Sequence, residues 1–130
     1  MLESARTRHW SVRRDVTQNV VWLVRSSEPY HSAEEIQASF DPIYRALAVV
    51  PRDRSSLIID VREARWRNDA SFEDATAPHR RRLVEGFTRV GLLVRTTLGK
   101  LQAQRLSRAE GLGWVAFDDE RLAHAYALGR

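Results

Sequence analysis

The sequence predicts a single α/β domain in which helices pack on a mostly parallel central sheet with an antiparallel edge strand. Short apolar segments alternate with apolar stripes at helical spacing, in the order β-β-α-β-α-β-α-β-α, and this alternation indicates parallel strands joined by helices. Turn and capping residues separate the segments. A chain of 130 residues, 43% of them hydrophobic, can bury one core. We expect one domain over residues 1–130, with its core from about residue 10 to about residue 128.

The first two strands are predicted as a hairpin over residues 10–16 and 20–24, because the turn residues TQN separate them. Ser32 is followed three residues later by a Glu, which is the capping-box pattern that begins a helix. Pro42 lies inside the apolar stripe that follows, so we expect either a kink or a helix that begins near Asp41.

The second half of the chain predicts three more strands and three more helices. The segment LIIDV (57–61) is apolar on both faces, which is typical of a central parallel strand. The elements predicted after it are a helix over Phe72 to Phe87, a strand over 89–94, a helix opened by Thr96 or Thr97 and closed by Gly111, a strand over 114–117, and a helix with Asp118 as its N-cap.

Composition excludes several classes of function. The chain has no Cys, and its four His do not occur at ligand spacing, so we expect no disulfide, metal or other cofactor. No apolar segment approaches the ~18 residues of a membrane span, and we expect a cytoplasmic protein. The net charge is +4, but the 21 basic residues are interleaved with 17 acidic ones. Because nucleic-acid binding needs clustered positive charge, we do not expect it.

The segments VVWLV, LIIDV and RVGLLV and the closing WVAFDDERLAHAYAL resemble the STAS domain in their order. STAS is the fold of anti-sigma-factor antagonists and of SpoIIAA-like and lipid-binding SEC14-like relatives. In the antagonists, an Asp-Ser-Ser-Gly stretch with a phosphorylatable Ser opens the helix after the third predicted strand. Counted from Asp60, that stretch falls on residues 68–71, so the acceptor position is Ala70. This chain departs from the family pattern there, although Ser71 follows and Asp69 could supply a fixed negative charge.

Ligands of open α/β sheets bind outside the carboxyl ends of the strands, which here lead into the loops 26–31, 62–71 and 95–97. The resemblance implies that the second loop and the helix after it dock a protein partner. The predicted partner-binding residues are Arg65, Trp66, Asn68, Asp69 and Ser71. Trp is over-represented among binding hot spots. The alternative is that the polar residues of this loop only cap the helix.

The third loop offers the best candidate anion site, formed by Arg95, Thr96 and Thr97. An arginine beside the exposed amides of a helix start would suit a phosphate or a carboxylate. The alternative is that one Thr simply caps the helix.

Two further residues have both a chemical and a structural interpretation. Asp60 could be a general base, or it could pair with an arginine such as Arg95 or accept a hydrogen bond from a nearby amide. His79 falls on an apolar helical stripe, where a buried histidine with satisfied hydrogen bonds is the expected state. No Ser-His-Asp order, carboxylate pair or metal cluster can be assembled, so we do not expect an enzyme.

Two functional hypotheses follow. The first is a non-catalytic regulatory module that docks a protein partner through the loop 62–71 and the helix behind it. The second is a sensor that holds a small anionic or lipid ligand between the sheet and a helix, as the resemblance to SEC14-like domains implies. An exposed edge strand from the hairpin could also pair in a homodimer.

Overall fold

Within the residues that the structure describes, six strands form one sheet in sequential order, from β1 at one edge to β6 at the other. The structure is a computed structural model that describes residues 1–65 and 70–130. Its elements are β1 (Leu2–Arg6), β2 (Trp10–Asp15), β3 (Val20–Arg25), α1 (Ala33–Leu47), β4 (Ser56–Asp60), α2 (Ala70–Val84), β5 (Arg89–Leu93), α3 (Thr97–Glu110), β6 (Val115–Phe117) and α4 (Glu120–Ala127). The first two pairings are antiparallel and the other three are parallel. The predicted α/β class is confirmed.

Three helices share one face of the sheet because the strand order never reverses. Each parallel crossover steps in the same direction, and the right-handed rule then places α1, α2 and α3 together. They contribute Ile43, Leu83 and Ala103, among other residues, to one large apolar cluster. The opposite face holds a smaller cluster, to which α4 contributes Ala123 and Ala127.

The edge of the sheet differs from the prediction. The hairpin of β2 and β3 forms as expected, but β1 pairs with β2 and takes the edge position. The sequence did not reveal β1 because four of its five residues are exposed and it lacks an apolar pattern. The pairing is also irregular, with a register shift between Glu3 and Ala5.

Helix α1 begins where the capping box predicts and continues past Pro42. The Ser32 hydroxyl accepts a hydrogen bond from the Glu35 amide at 3.0 Å. The expectation that the helix begins near Asp41 was wrong. Proline removes the bond to the carbonyl four residues earlier, and that residue, Ala38, is exposed, so water can satisfy the carbonyl.

The caps of α3 and α4 set the positions of the last two helices. Thr96 is the N-cap of α3, and Gly111 ends that helix in the left-handed conformation with φ 65°. The N-cap of α4 is Asp119 rather than the predicted Asp118, since the Asp119 carboxylate accepts hydrogen bonds from the amides of Arg121 and Leu122.

Candidate functional site

A cavity of about 490 Å³ lies between the sheet, α2 and α3. Ile59 of β4 and Leu92 of β5 line its floor, and Phe72 of α2 and Leu106 of α3 line its walls. The lining also includes Val61, Ala64, Arg65 and Val94, which follow the carboxyl ends of β4 and β5. The cavity therefore reaches the end of the sheet at which ligands of α/β folds bind.

Buried hydrogen bonds hold the aromatic rings at one end of the cavity. The Trp10 indole N–H donates to the Tyr30 hydroxyl at 3.0 Å, and the Tyr30 and Ser39 hydroxyls are 2.5 Å apart. Ser39 also donates to the Ile36 carbonyl at 2.7 Å. Trp10 and Tyr30 both line the cavity. Because buried polar networks of this kind rigidify their members, this wall is pre-formed.

Arg25, the last residue of β3, is a buried cation in the cavity lining, with a relative exposure of 8%. It lies inward because Val21, Leu23 and Arg25 alternate along one face of the strand. Its Nη1 donates to the Ser26 carbonyl at 2.7 Å, and its guanidinium is 4.5 Å from the Tyr30 ring centroid. Burial lowers the pKa of Arg25. Over residues 1–65 and 70–130, no carboxylate forms an ion pair with it.

Arg80 of α2 also lines the cavity, but two carboxylates neutralise it. It binds Glu110 of α3 through two contacts of 3.0 Å and 2.8 Å, and Glu73 at 3.4 Å. These hydrogen bonds hold the pKa of the Glu110 carboxyl below its usual value. Arg81 donates to the Glu110 backbone carbonyl. The three residues Arg80, Arg81 and Glu110 form what we call the α2–α3 clamp.

The predicted partner-binding residues fall only partly within the described chain. Arg65 is exposed and lies in the cavity lining, and Ser71 is exposed in the first turn of α2. Trp66, Asn68 and Asp69 lie outside the described residues. The predicted docking surface therefore stays a prediction.

The predicted anion site is lined by groups that already have partners. The Thr96 hydroxyl accepts from the Gly99 amide at 2.9 Å, which makes Thr96 a helix cap. Thr97 donates to the Asp118 carboxylate at 3.2 Å. Arg95 is 3.5 Å from the Glu63 carboxylate. Anion binding there stays a prediction, and these two carboxylates would compete with an incoming anion.

Asp60 has the structural role that was expected for it, with a different partner. It is buried, and its carboxylate contacts the Arg62 guanidinium at 3.0 Å and 2.8 Å and the Arg62 amide at 3.0 Å. Arg62 also pairs with Glu120 at 2.8 Å, and the two acidic groups raise its pKa. Asp60 thus pairs with an arginine and accepts a hydrogen bond from a nearby amide, as expected, but the arginine is Arg62 rather than the suggested Arg95. Asp60 instead fixes the turn after β4.

His79 is a buried histidine whose two ring nitrogens are both hydrogen-bonded. Burial, and then the positive charge of Arg82, lower its pKa, so the ring is neutral. Burial also raises the pKa of Tyr44 to about 12, which keeps the phenol protonated. Tyr44 therefore donates to Nδ1, and Nε2–H donates to the Gln37 side-chain oxygen at 3.1 Å. His79 links α1 to α2.

The described residues contain no group of three or more His, Asp or Glu side chains placed to hold a metal ion. In the same ranges, no helix combines the length and apolar character that crossing a membrane requires.

The comparisons with known proteins identify the fold. No family model matches the sequence, and no curated protein does. The chain is similar to the crystal structure of an uncharacterised protein of the DUF3478 family from Shewanella loihica PV-4, described as having a SpoIIAA-like fold. The TM-score is 0.64 with 16% sequence identity, and the match covers 95% of this chain and 98% of that one. The chain thus has the SpoIIAA-like fold that its element order predicted.

Proposed function

We propose that this protein is a non-catalytic regulatory module that binds a small, mainly apolar molecule between the sheet and helices α2 and α3. The observation that carries the proposal is the cavity of about 490 Å³, which lies within the size range of small-molecule sites. Its lining is mostly aliphatic and aromatic, with a few polar side chains, as such sites require. The SpoIIAA-like fold is compatible with this role and does not select a ligand.

The position of the cavity favours binding over a packing defect, because lining residues Val61, Ala64 and Val94 follow the carboxyl ends of β4 and β5, where ligands of α/β folds bind. Protein interiors are close-packed, and unfilled space costs the dispersion contacts of the atoms around it. A bound apolar molecule would restore those contacts on the floor formed by Ile59 and Leu92 and on the α3 wall at Leu106.

The direct test is a native mass spectrum of freshly purified protein, run beside denatured protein from the same preparation. We expect an additional mass that is lost on denaturation. A second measurement uses the neutral fluorophore N-phenylnaphthylamine as a probe. Saturable binding of one probe per chain supports the proposal. Identical masses together with no saturable probe binding would contradict it.

A matched pair of variants on α3 locates the probe. Ala103 is buried in the cavity lining, whereas Ala109 on the same helix is exposed. Ala103→Leu should occupy part of the cavity and weaken probe binding by about fivefold or more, because the space left is overpacked when the probe is bound, at a cost of ~1–3 kcal/mol. Ala109→Leu should leave the affinity unchanged. Cavity filling should also raise the free energy of unfolding of Ala103→Leu by up to ~1 kcal/mol.

Protein docking through the loop after β4 is our second proposal. Arg65 and Ser71 are exposed, and Arg65 also lines the cavity. A partner bound at this loop could therefore respond to cavity occupancy. The test is cross-linking capture with wild type and Ser71→Arg, with Ala109→Leu as the control. If the partner is lost only with Ser71→Arg, the result supports docking at the loop after β4. Equal recovery of the partner from all three proteins contradicts it.

A further inference from the structure

We propose that the molecule held in the cavity is an amphipathic organic acid whose anionic group binds to Arg25. The inference rests on the proposed cavity function and adds the chemical class of the ligand. It also places the anion at the end of β3 rather than at the start of α3.

Arg25 has donors left to offer. The recorded bonds to the carbonyls of His9 and Ser26 and to the Ser26 hydroxyl all come from one amino group, Nη1. In the described ranges, the guanidinium also lies 4.5 Å from the Tyr30 ring centroid and 5.9 Å from that of Trp10, and the Tyr30 side chain is a further hydrogen-bond partner of Arg25. A carboxylate can accept hydrogen bonds from two guanidinium donors at once, and contacts with the faces of aromatic rings do not use up those donors.

Arg25 has no ion-pair partner among the described residues, although the Glu28 carboxylate acts on it from beyond ion-pair distance. A buried charge without a paired counter-charge is costly. An anionic ligand group would supply one. The lowered pKa of Arg25 has burial as its main cause, which agrees with a guanidinium that has lost much of its hydration.

The other two arginines in the cavity lining are weaker candidates. Arg80 is shared between Glu110 and Glu73, so an anion there would have to displace a carboxylate. Arg65 is exposed, and solvent screening makes exposed charges contribute little to binding. Only Arg25 combines burial with free donors among the described residues that line the cavity.

The rest of the lining defines the remainder of the ligand. Floor and wall residues such as Ile59, Leu92 and Leu106 offer no hydrogen-bonding side chains, so the body of the molecule should be apolar. Trp10 and Tyr30 stand next to Arg25 and could stack against a planar group.

The test compares two fluorescent probes of similar shape in the full chain. Anilinonaphthalene sulfonate carries an anionic group, and N-phenylnaphthylamine lacks it. The variants are Arg25→Gln, which removes the charge, and Arg25→Lys, which retains it. Arg95→Gln is the matched control, because Arg95 is exposed and lies outside the cavity lining.

We expect Arg25→Gln to bind the sulfonate about tenfold more weakly, the usual effect of losing one charge-assisted contact. Its affinity for the neutral probe should stay within about twofold of wild type, which also shows that the variant is folded. Arg25→Lys should recover part of the sulfonate affinity. Arg95→Gln should behave like wild type with both probes.

The outcomes separate this inference from the proposed function. If Ala103→Leu weakens binding of the neutral probe but wild type and Arg25→Gln bind the sulfonate equally, the inference is overturned and the cavity function is left intact. If wild type binds neither probe saturably, both proposals fail. A sulfonate affinity that is lost in Arg95→Gln instead would move the anion to the start of α3 and would also overturn the inference.

Discussion

Helices α1 and α2 have the same length, fifteen residues, and lie on the same face of the sheet, yet they pack differently. The buried residues of α1 extend along the whole helix, from Ile36 to Leu47. Those of α2 begin only at His79, in its second half. Helix α1 therefore closes the core along its length, whereas α2 leaves a cavity beneath its first half.

The side chains on α2 explain the gap. Phe72 is the one large apolar side chain in its first half, and it is only partly buried. The helix is held at its other end, through the clamp to Glu110 and through the contact of His79 with α1. The first half of α2 is thus positioned without filling the space below it.

The largest expected difference between the two helices is in the stability lost when one core residue on each is truncated. Ile43 of α1 is fully buried, and Ile43→Ala should lower the free energy of unfolding by about 3 kcal/mol. Leu83 of α2 faces the cavity and already lacks neighbours on one side, so Leu83→Ala should cost about half as much. Urea denaturation measures both, and equal losses would show that α2 packs as tightly as α1.

A smaller effect should follow from opening the α2–α3 clamp. Glu110→Gln removes the charge that holds Arg80, and we expect a loss of about 1 kcal/mol. Hydrogen exchange should quicken in α2 and stay unchanged in α1. The control is Glu34→Gln, an exposed acidic residue at the start of α1. Uniform quickening across both helices would contradict a local role for the clamp.

The smallest predicted effect is a pH dependence at the contact between α1 and α2. Burial and Arg82 lower the pKa of His79, so the folded protein takes up its proton less readily than the unfolded chain. Stability should therefore fall as the pH drops below about 6.5. Urea midpoints at about pH 7.5 and about pH 5.5 should converge in His79→Gln, because Gln has no proton to bind there. An unchanged difference would show that His79 does not cause the pH dependence.

Local chemistry made much of the fold predictable. Ser32, Thr96 and Gly111 mark helix ends through hydrogen bonds and backbone conformation that depend on a few adjacent residues. Strand β1 could not be found in this way, because four of its five residues are exposed and its sequence therefore has no apolar pattern. Asp118 and Asp119 are both competent caps, and only the geometry of α4 distinguishes them.

The candidate cavity was beyond the reach of the sequence for a different reason. Spacing identifies Leu83 and Leu106 as inward-facing but gives no measure of whether side-chain volumes fill the space between elements. Arg25 did leave a signal, because it continues the inward alternation of Val21 and Leu23. A charged residue at such a position indicates either a buried partner or a ligand.

The sequential strand order lets the chain acquire its sheet one strand at a time. Every strand pairs with the strand next to it along the chain, so no early segment must wait for a distant one before it can join. During synthesis, the hairpin of β2 and β3 can form first, and each later strand can then add to an existing edge as it leaves the ribosome. The connections from β1 to β2 and from β2 to β3 are short, whereas each parallel pairing has to close a connection that contains a whole helix, so the parallel pairings should form after the hairpin.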